Sequence, residues 1–210
     1  MSTWLNRLRP GRDQPGQRAA LQRWQALPAA ELGRAHFDTR YVVINTEATG
    51  LDPERDRLLA VAAIAIDGGL IRAQESYYAS LADDPGAALA GLLEFAGKAP
   101  LVVFGAGFNR RLLERAWQTH LGGVPETIWL DLFWLLPAVF RPGLDGPTRL
   151  AQWMKIFDIE TFQRHHALGD AWAIAQLLLA LLARAPRLGA GTARALADLE
   201  RSRRQFTTPA

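Results

Sequence analysis

The sequence predicts an α/β fold: a mixed five-stranded sheet, begun by an antiparallel meander and continued in an αβαβα pattern, with helices on both faces. Three observations carry this. Tyr41-Val-Val-Ile44 is a short aromatic and β-branched run. Leu58–Ile66 and Leu70–Tyr78 are two further strand-like runs joined at Asp67-Gly68-Gly69, a strong hairpin signal. Beyond residue 86 the periodicity changes to helix and strand in alternation.

The elements follow in order. Two segments before residue 30 read as helical, separated by the breaker-rich loop Pro10–Gly16, and Pro28 ends the second, around Ala19–Leu27. The three meander strands come next, with the turn Thr49-Gly-Leu-Asp-Pro53 after the first. Ala87–Ala96 reads as a helix, Leu101–Phe104 as a strand, and Arg110–His120 as a helix closed by Gly122-Gly123. Thr127–Leu130 is β-like and Leu132–Val139 helical; Pro142–Pro147 is a loop and Thr148–Phe157 a helix. Asp170–Ala183 is apolar on nearly every face and is expected to be a buried helix against the sheet. Thr192–Arg204 reads as a basic amphipathic helix. The expected organisation is a basic helical arm over 1–35, a folded unit over 36–190, and a basic helix and tail over 191–210.

The composition bounds the function. In 210 residues, 49% are hydrophobic and 21% charged, enough for one well-cored domain of roughly 150–180 residues plus an arm. Zero cysteines exclude a disulfide scaffold, thiolate zinc sites and cysteine nucleophiles. The apolar run Ala171–Ala183 is interrupted by Gln176 and the first residues lack a secretory h-region, so the expectation is a cytoplasmic protein without a membrane partner. Charge is segregated. Seven arginines against three acids give residues 1–40 a charge of +4; six arginines against two acids give 184–210 the same; the centre, 41–183, carries −5. Basic ends around an acidic centre suit a phosphate-rich partner approaching a site built from carboxylates.

Acids and amides cluster at the element ends. Asn45 and Glu47 lie two residues apart at the end of the first strand, so both side chains leave one face. Asn109 opens the helix after Leu101–Phe104. Asp170 opens the buried helix, with His165 five residues earlier in the preceding loop. Side chains at strand ends and helix starts could meet in one pocket. By contrast, Trp153 and Trp172 fall in apolar helical patterns and read as core, Trp4 and Trp24 as anchors of the arm, and Asp131 as a cap of the following helix. His120 complements a helix C-terminus.

Three motifs carry a family resemblance. Tyr41-Val-Val-Ile-Asn-Thr-Glu-Ala-Thr-Gly-Leu-Asp-Pro53 resembles the first motif of the proofreading 3′→5′ exonucleases, the DEDD enzymes of the ribonuclease H-like fold. This family includes the epsilon subunit of the bacterial replicative polymerase and ribonuclease T. His165-His-Ala-Leu-Gly-Asp-Ala171 resembles the third motif in its histidine-bearing form, His-x-Ala-x-x-Asp-Ala. Phe104-Gly-Ala-Gly-Phe-Asn109 stands in the place of the second, His-Asn-x-x-Phe-Asp. The match runs from about Tyr41 to Ala183, in order and on the expected elements.

The resemblance implies a two-metal phosphodiesterase site using Mg or Mn. Carried over by position, the metal ligands would be Asn45, Glu47, Asn109 and Asp170, and His165 would take the proton from the attacking water. Thr49 and Gly50 would present backbone to the terminal nucleotide, and Leu51 would lie against its base. The expected partner is single-stranded nucleic acid or a 3′ end, together with a DNA polymerase or another replication or repair protein. The chain departs from the pattern at two ligands: Asn45 and Asn109 stand where the family has Asp. An amide offers one neutral oxygen, so the formal charge of the ligand set falls from −4 to −2, and the two cations repel by several kcal/mol even at an effective dielectric of about 20. The expectation is an exonuclease-family protein that binds 3′ ends with hydrolysis lost or strongly reduced. An active metal-dependent exonuclease and a protein-interaction module are the alternatives. A dinucleotide-binding unit, suggested by Gly105-Ala-Gly107, fails at the third glycine position, where Arg110 stands.

Overall fold

Successive side chains of a strand go to opposite faces. Along β1, Tyr41–Ala48, both faces are apolar: Tyr41 and Val43 enter one core, Val42 and Ile44 the other. A strand of this kind must be covered on both sides. The computed structural model, which describes residues 15–140, 149–161 and 166–207, shows how.

β1 pairs antiparallel with β2, Leu58–Asp67, which turns at Gly68 and Gly69 into β3, Leu70–Ser80. On its other side β1 pairs parallel with β4, Leu101–Val103, and β4 in turn with β5, Trp129–Asp131. The order β3-β2-β1-β4-β5 is the predicted mixed sheet. Among the described residues, three helices lie on one side: α1 (Pro15–Gln25), α2 (Pro85–Ala96) and α3 (Ala106–Leu121). Four cover the other: α4 (Leu132–Phe140), α5 (Leu150–Ile156), α6 (Ala167–Arg184) and α7 (Ala193–Thr207).

Two helices begin about one turn earlier than the sequence predicts, α3 at Ala106 and α6 at Ala167. With the short 3-10 turn that follows it, α6 runs to Leu188 and is long and apolar enough, by length and composition, to span a membrane. Its apolar surface is spent on the sheet, where Ile174, Leu177, Leu178 and Leu181 pack against β1 and β2. Each such side chain contributes about 1.5–3 kcal/mol by leaving water.

Trp24 of α1 is buried, donates its Nε1–H to the Gly97 carbonyl (2.5 Å) and lies beneath the Lys98 ammonium. The segment after α1 is tied to the far end of the chain. Ala35 bridges Thr192, the Arg194 N–H donates to the Leu32 carbonyl (3.0 Å), and His36 reaches the Ala190 carbonyl (2.8 Å). Trp153 is fully buried in the α4–α7 core and Trp172 packs half-buried against it. The first predicted helix with Trp4, and the Pro142–Pro147 loop, lie outside the described residues.

Candidate active site at the end of the first strand

Beyond Ile44, β1 leaves the core and its side chains become polar and half-buried. Parity then sorts them. Asn45 and Glu47 continue the face of Tyr41 and Val43, toward α6; Thr46 continues the face of Val42 and Ile44, toward α3. A register shift after Glu47 ends the regular pairing with β2.

The α6 side holds three of the predicted residues. Ala167, first residue of α6, donates its N–H to Glu47 Oε1 (2.5 Å) and accepts at its carbonyl from Asn45 Nδ2 (3.4 Å). Glu47 therefore closes the N-terminus of α6, where a carboxylate is favoured by the unpaired amides and the helix dipole. Asp170 lies in that first turn, half-buried, with Oδ1 shielded from solvent. His166 caps the same helix through its Nδ1, which accepts from the Leu168 N–H (3.3 Å), and its ring stacks on Tyr78 of β3 with centroids 5.3 Å apart. His165, the expected base, lies outside the described residues.

Asn109 belongs to the other side. It sits in the first turn of α3, only 6% exposed, and all its bonding is internal. Its Oδ1 accepts from the Thr46 hydroxyl (2.8 Å), while its Nδ2 donates to the Phe104 and Gly105 carbonyls (3.2 and 3.1 Å). Asn109 thus fastens α3 to β1. The amide suits this task because it accepts at one end and donates at the other; a carboxylate would meet two carbonyl oxygens with no proton.

The turn after β1 is built by a residue to which the sequence assigned no role. The carboxylate of Asp56 accepts from the Thr49 hydroxyl (2.7 Å) and from the Asp52 N–H (2.8 Å). The Thr49 hydrogen bond, then the Asp52 amide, hold its carboxyl below the usual carboxylate range. A Cβ on Gly50 would stand 2.6 Å from Asp56 Oδ2, so a larger residue there would displace the carboxylate that holds the turn. Leu51, at the tip, is 91% exposed. An apolar side chain therefore stands free beside Thr49 and Gly50.

Asp131 is a second such residue. Buried at 2% exposure, it accepts from the Gly105 and Ala106 amides (2.8 Å each) and from the Phe133 amide (3.0 Å). It caps α4, as expected, and also fixes the turn into α3, where Gly105 takes the left-handed φ of +84°.

The set does not fit a dinuclear metal centre. Asn109 directs its single neutral oxygen to Thr46 on the α3 side of β1, and Glu47 directs one of its two to the α6 N-terminus. Among the described residues no group of three or more Asp, Glu or His side chains could hold a metal ion. Glu47, Asp170 and the Asn45 carbonyl oxygen are what the α6 side offers a cation.

No family model matches this chain, and no curated protein matches it. Solved structures do. Exonuclease X in complex with 5′ overhanging duplex DNA superposes with a TM-score of 0.56 at 18% identity, over 76% of this chain and 99% of that one. Escherichia coli exonuclease I in complex with a dA16 oligonucleotide gives 0.54 at 20% identity, over 71% of this chain. The zinc-bound form of the E. coli exonuclease I–single-stranded DNA complex gives 0.53 at 21% identity, again over 71%. This chain spans 42% of the length of exonuclease I. At these identities the likeness is one of fold, and that fold is the ribonuclease H-like sheet predicted above.

Proposed function

We propose that this protein is a degenerate member of the histidine-bearing DEDD exonuclease family, one that binds nucleic-acid 3′ ends with hydrolysis lost or strongly reduced. Three things support the reading: the order and spacing of the first and third motifs, the shared fold, and the DNA bound in the similar exonuclease structures. The observation that carries the loss of hydrolysis is Asn109, whose one oxygen is turned into the hydrogen bond from Thr46. With Asn45 also neutral, the cleft keeps two carboxylates where the family chemistry uses four.

In this reading the terminal nucleotide lies over Thr49, Gly50 and the exposed Leu51. An apolar side chain there gives the base a stacking surface without reading its identity. Glu47 and Asp170 face the scissile phosphate and would hold at most a single Mg or Mn ion. The exonuclease-like unit is 36–190, and the basic ends, 1–35 and 191–210, add attraction for phosphate. A partner among replication or repair proteins, as for the polymerase epsilon subunit, belongs to the same proposal.

The test uses 5′-labelled single-stranded DNA with Mg²⁺ and, separately, Mn²⁺. The protein is expected to bind the strand without shortening it, and the double variant Asn45→Asp/Asn109→Asp to gain 3′→5′ shortening. Equal cutting by the unaltered protein and the variant would overturn the loss of hydrolysis. Neither cutting nor binding would point to a protein-interaction role instead.

A further inference from the structure

A cleft of about 670 Å³ opens on the α2–α3 face, behind the turn that follows β1. It is separate from the Glu47–Asp170 side, which faces α6. Its floor is apolar, made by Leu58 and Leu81 at the sheet end and by Leu112 and Ala116 of α3. Its rim is cationic. Arg57 is exposed, and among the described residues it makes no ion pair; Arg115 enters from α3 and donates to the Asp56 carbonyl, with the Asp56 carboxylate near enough to feel its charge. His120 stands one turn further along α3, with Thr119 beside it. Burial pushes the His120 imidazole below its ordinary range, an effect partly opposed by Asp84.

The size is that of a small-ligand site, which ordinarily lies between about 300 and 1,000 Å³ and joins an apolar body to a few placed polar groups. Guanidinium groups suit an oxyanion because they donate in a fixed planar fork. A flat apolar ring on the leucine floor with a phosphate at the rim satisfies both halves of the cleft at once. By contrast, the arginines of the groove between α3 and α7 are already taken, Arg110 by Glu114 and Arg204 by Glu200.

We infer that this cleft binds a nucleotide, its base on Leu58, Leu112 and Ala116 and its phosphate on Arg57 and Arg115. The nucleotide has two sources, a free mononucleotide or one unit of a single strand. The inference stands apart from the function proposed above, because no residue of the cleft is among the motif positions.

The experiment is a titration of the full-length ¹⁵N-labelled protein, followed by amide shifts, with three probes: AMP, a dT10 oligonucleotide and inorganic phosphate. Saturable shifts at Arg57, Arg115 and Thr119 are expected with AMP or dT10, and which of the two binds identifies the source. Arg57→Gln/Arg115→Gln is expected to weaken that binding at least tenfold. Ala82→Trp, placed on the exposed lip of the cleft, is expected to block it while leaving the remaining amide spectrum in place. No shift in the cleft with either nucleotide probe would overturn the inference. So would phosphate binding as tightly as AMP, since the apolar floor would then have no occupant. Shifts confined to Thr49, Leu51, Glu47 and Asp170 would overturn it too, while supporting the 3′-end reading.

Discussion

His36 shows how much a single side chain settles. The sequence assigns it nothing, a lone histidine before a strand. In the fold it is buried, with Nδ1 2.7 Å from the Tyr41 hydroxyl and Nε2 2.8 Å from the Ala190 carbonyl. A carbonyl only accepts, so Nε2 carries the proton and Nδ1 accepts from the tyrosine: the ring is neutral. Burial pushes its pKa below the ordinary 6.5, against the Ala190 bond, which raises it. The unfolded chain therefore takes up the proton first as pH falls. The stabilisation is complete above about pH 6.5 and is lost below it, through the depressed folded-state pKa. Thermal melts between pH 8 and pH 5 should show this loss, and His36→Phe should flatten the curve. The same variant should be less stable at pH 8 by about 1–3 kcal/mol, since it strands the Tyr41 hydroxyl and the Ala190 carbonyl in a buried place. A pH response that persists in His36→Phe would assign it to another group.

At the scale of elements, the sequence carried the sheet and missed the starts of α3 and α6, for one physical reason. Strand parity and turn chemistry are local, so Tyr41–Ile44, the Asp67–Gly69 hairpin and the apolar α6 were legible in a window of a few residues. The partners that start these two helices are tertiary, whereas Asp84 caps α2 locally. α3 starts at Ala106 because Asp131, 25 residues on, accepts its first amides; α6 starts at Ala167 because Glu47, 120 residues back, accepts its first. The same distance hid the division of the candidate site. Motif spacing placed Asn45, Glu47, Asn109 and Asp170 on converging ends, and only the fold shows Asn109 claimed by Thr46 on the opposite face of β1.

Asp131 is the strongest of these ties. Besides three amides it meets Arg204 of α7 (3.5 Å), while its own N–H donates to Glu200 Oε2 (2.8 Å). One carboxylate thus joins β5, the α3 turn, α4 and α7. Asp131→Ala leaves buried amides without an acceptor and is expected to cost about 3 kcal/mol, read from urea unfolding midpoints. Asp131→Asn keeps one acceptor and should fall between the two. If Asp131→Ala unfolded at the wild-type midpoint, α3 and α7 would have to be held by their apolar contacts alone.

On the scale of the whole molecule, the charge pattern read from the sequence meets a fold that ties residues 32–36 to residues 190–194. Residues 1–40 and 184–210 each carry +4, and the structure joins them through Ala35 and Thr192, Leu32 and Arg194, and His36 and Ala190. The described part of the N-terminal segment thus lies beside the C-terminal one, while residues 41–183 carry −5. Attraction of a nucleic-acid strand should then come from the ends, and should be sequence-independent and sensitive to salt. Deleting 1–35 is a poor test, because it also removes Trp24 and Leu21 from the core. Substituting Arg7, Arg9 and Arg12 by Gln tests the charge and keeps Trp24 and Leu21 in place. Binding of fluorescent dT10 should weaken, and the slope of log affinity against log salt should become shallower by roughly two, about 0.7 for each phosphate that an arginine no longer neutralises. An unchanged slope would show that these arginines are merely solvated, and would leave Arg57, Arg115 and the α7 arginines to account for whatever affinity is measured.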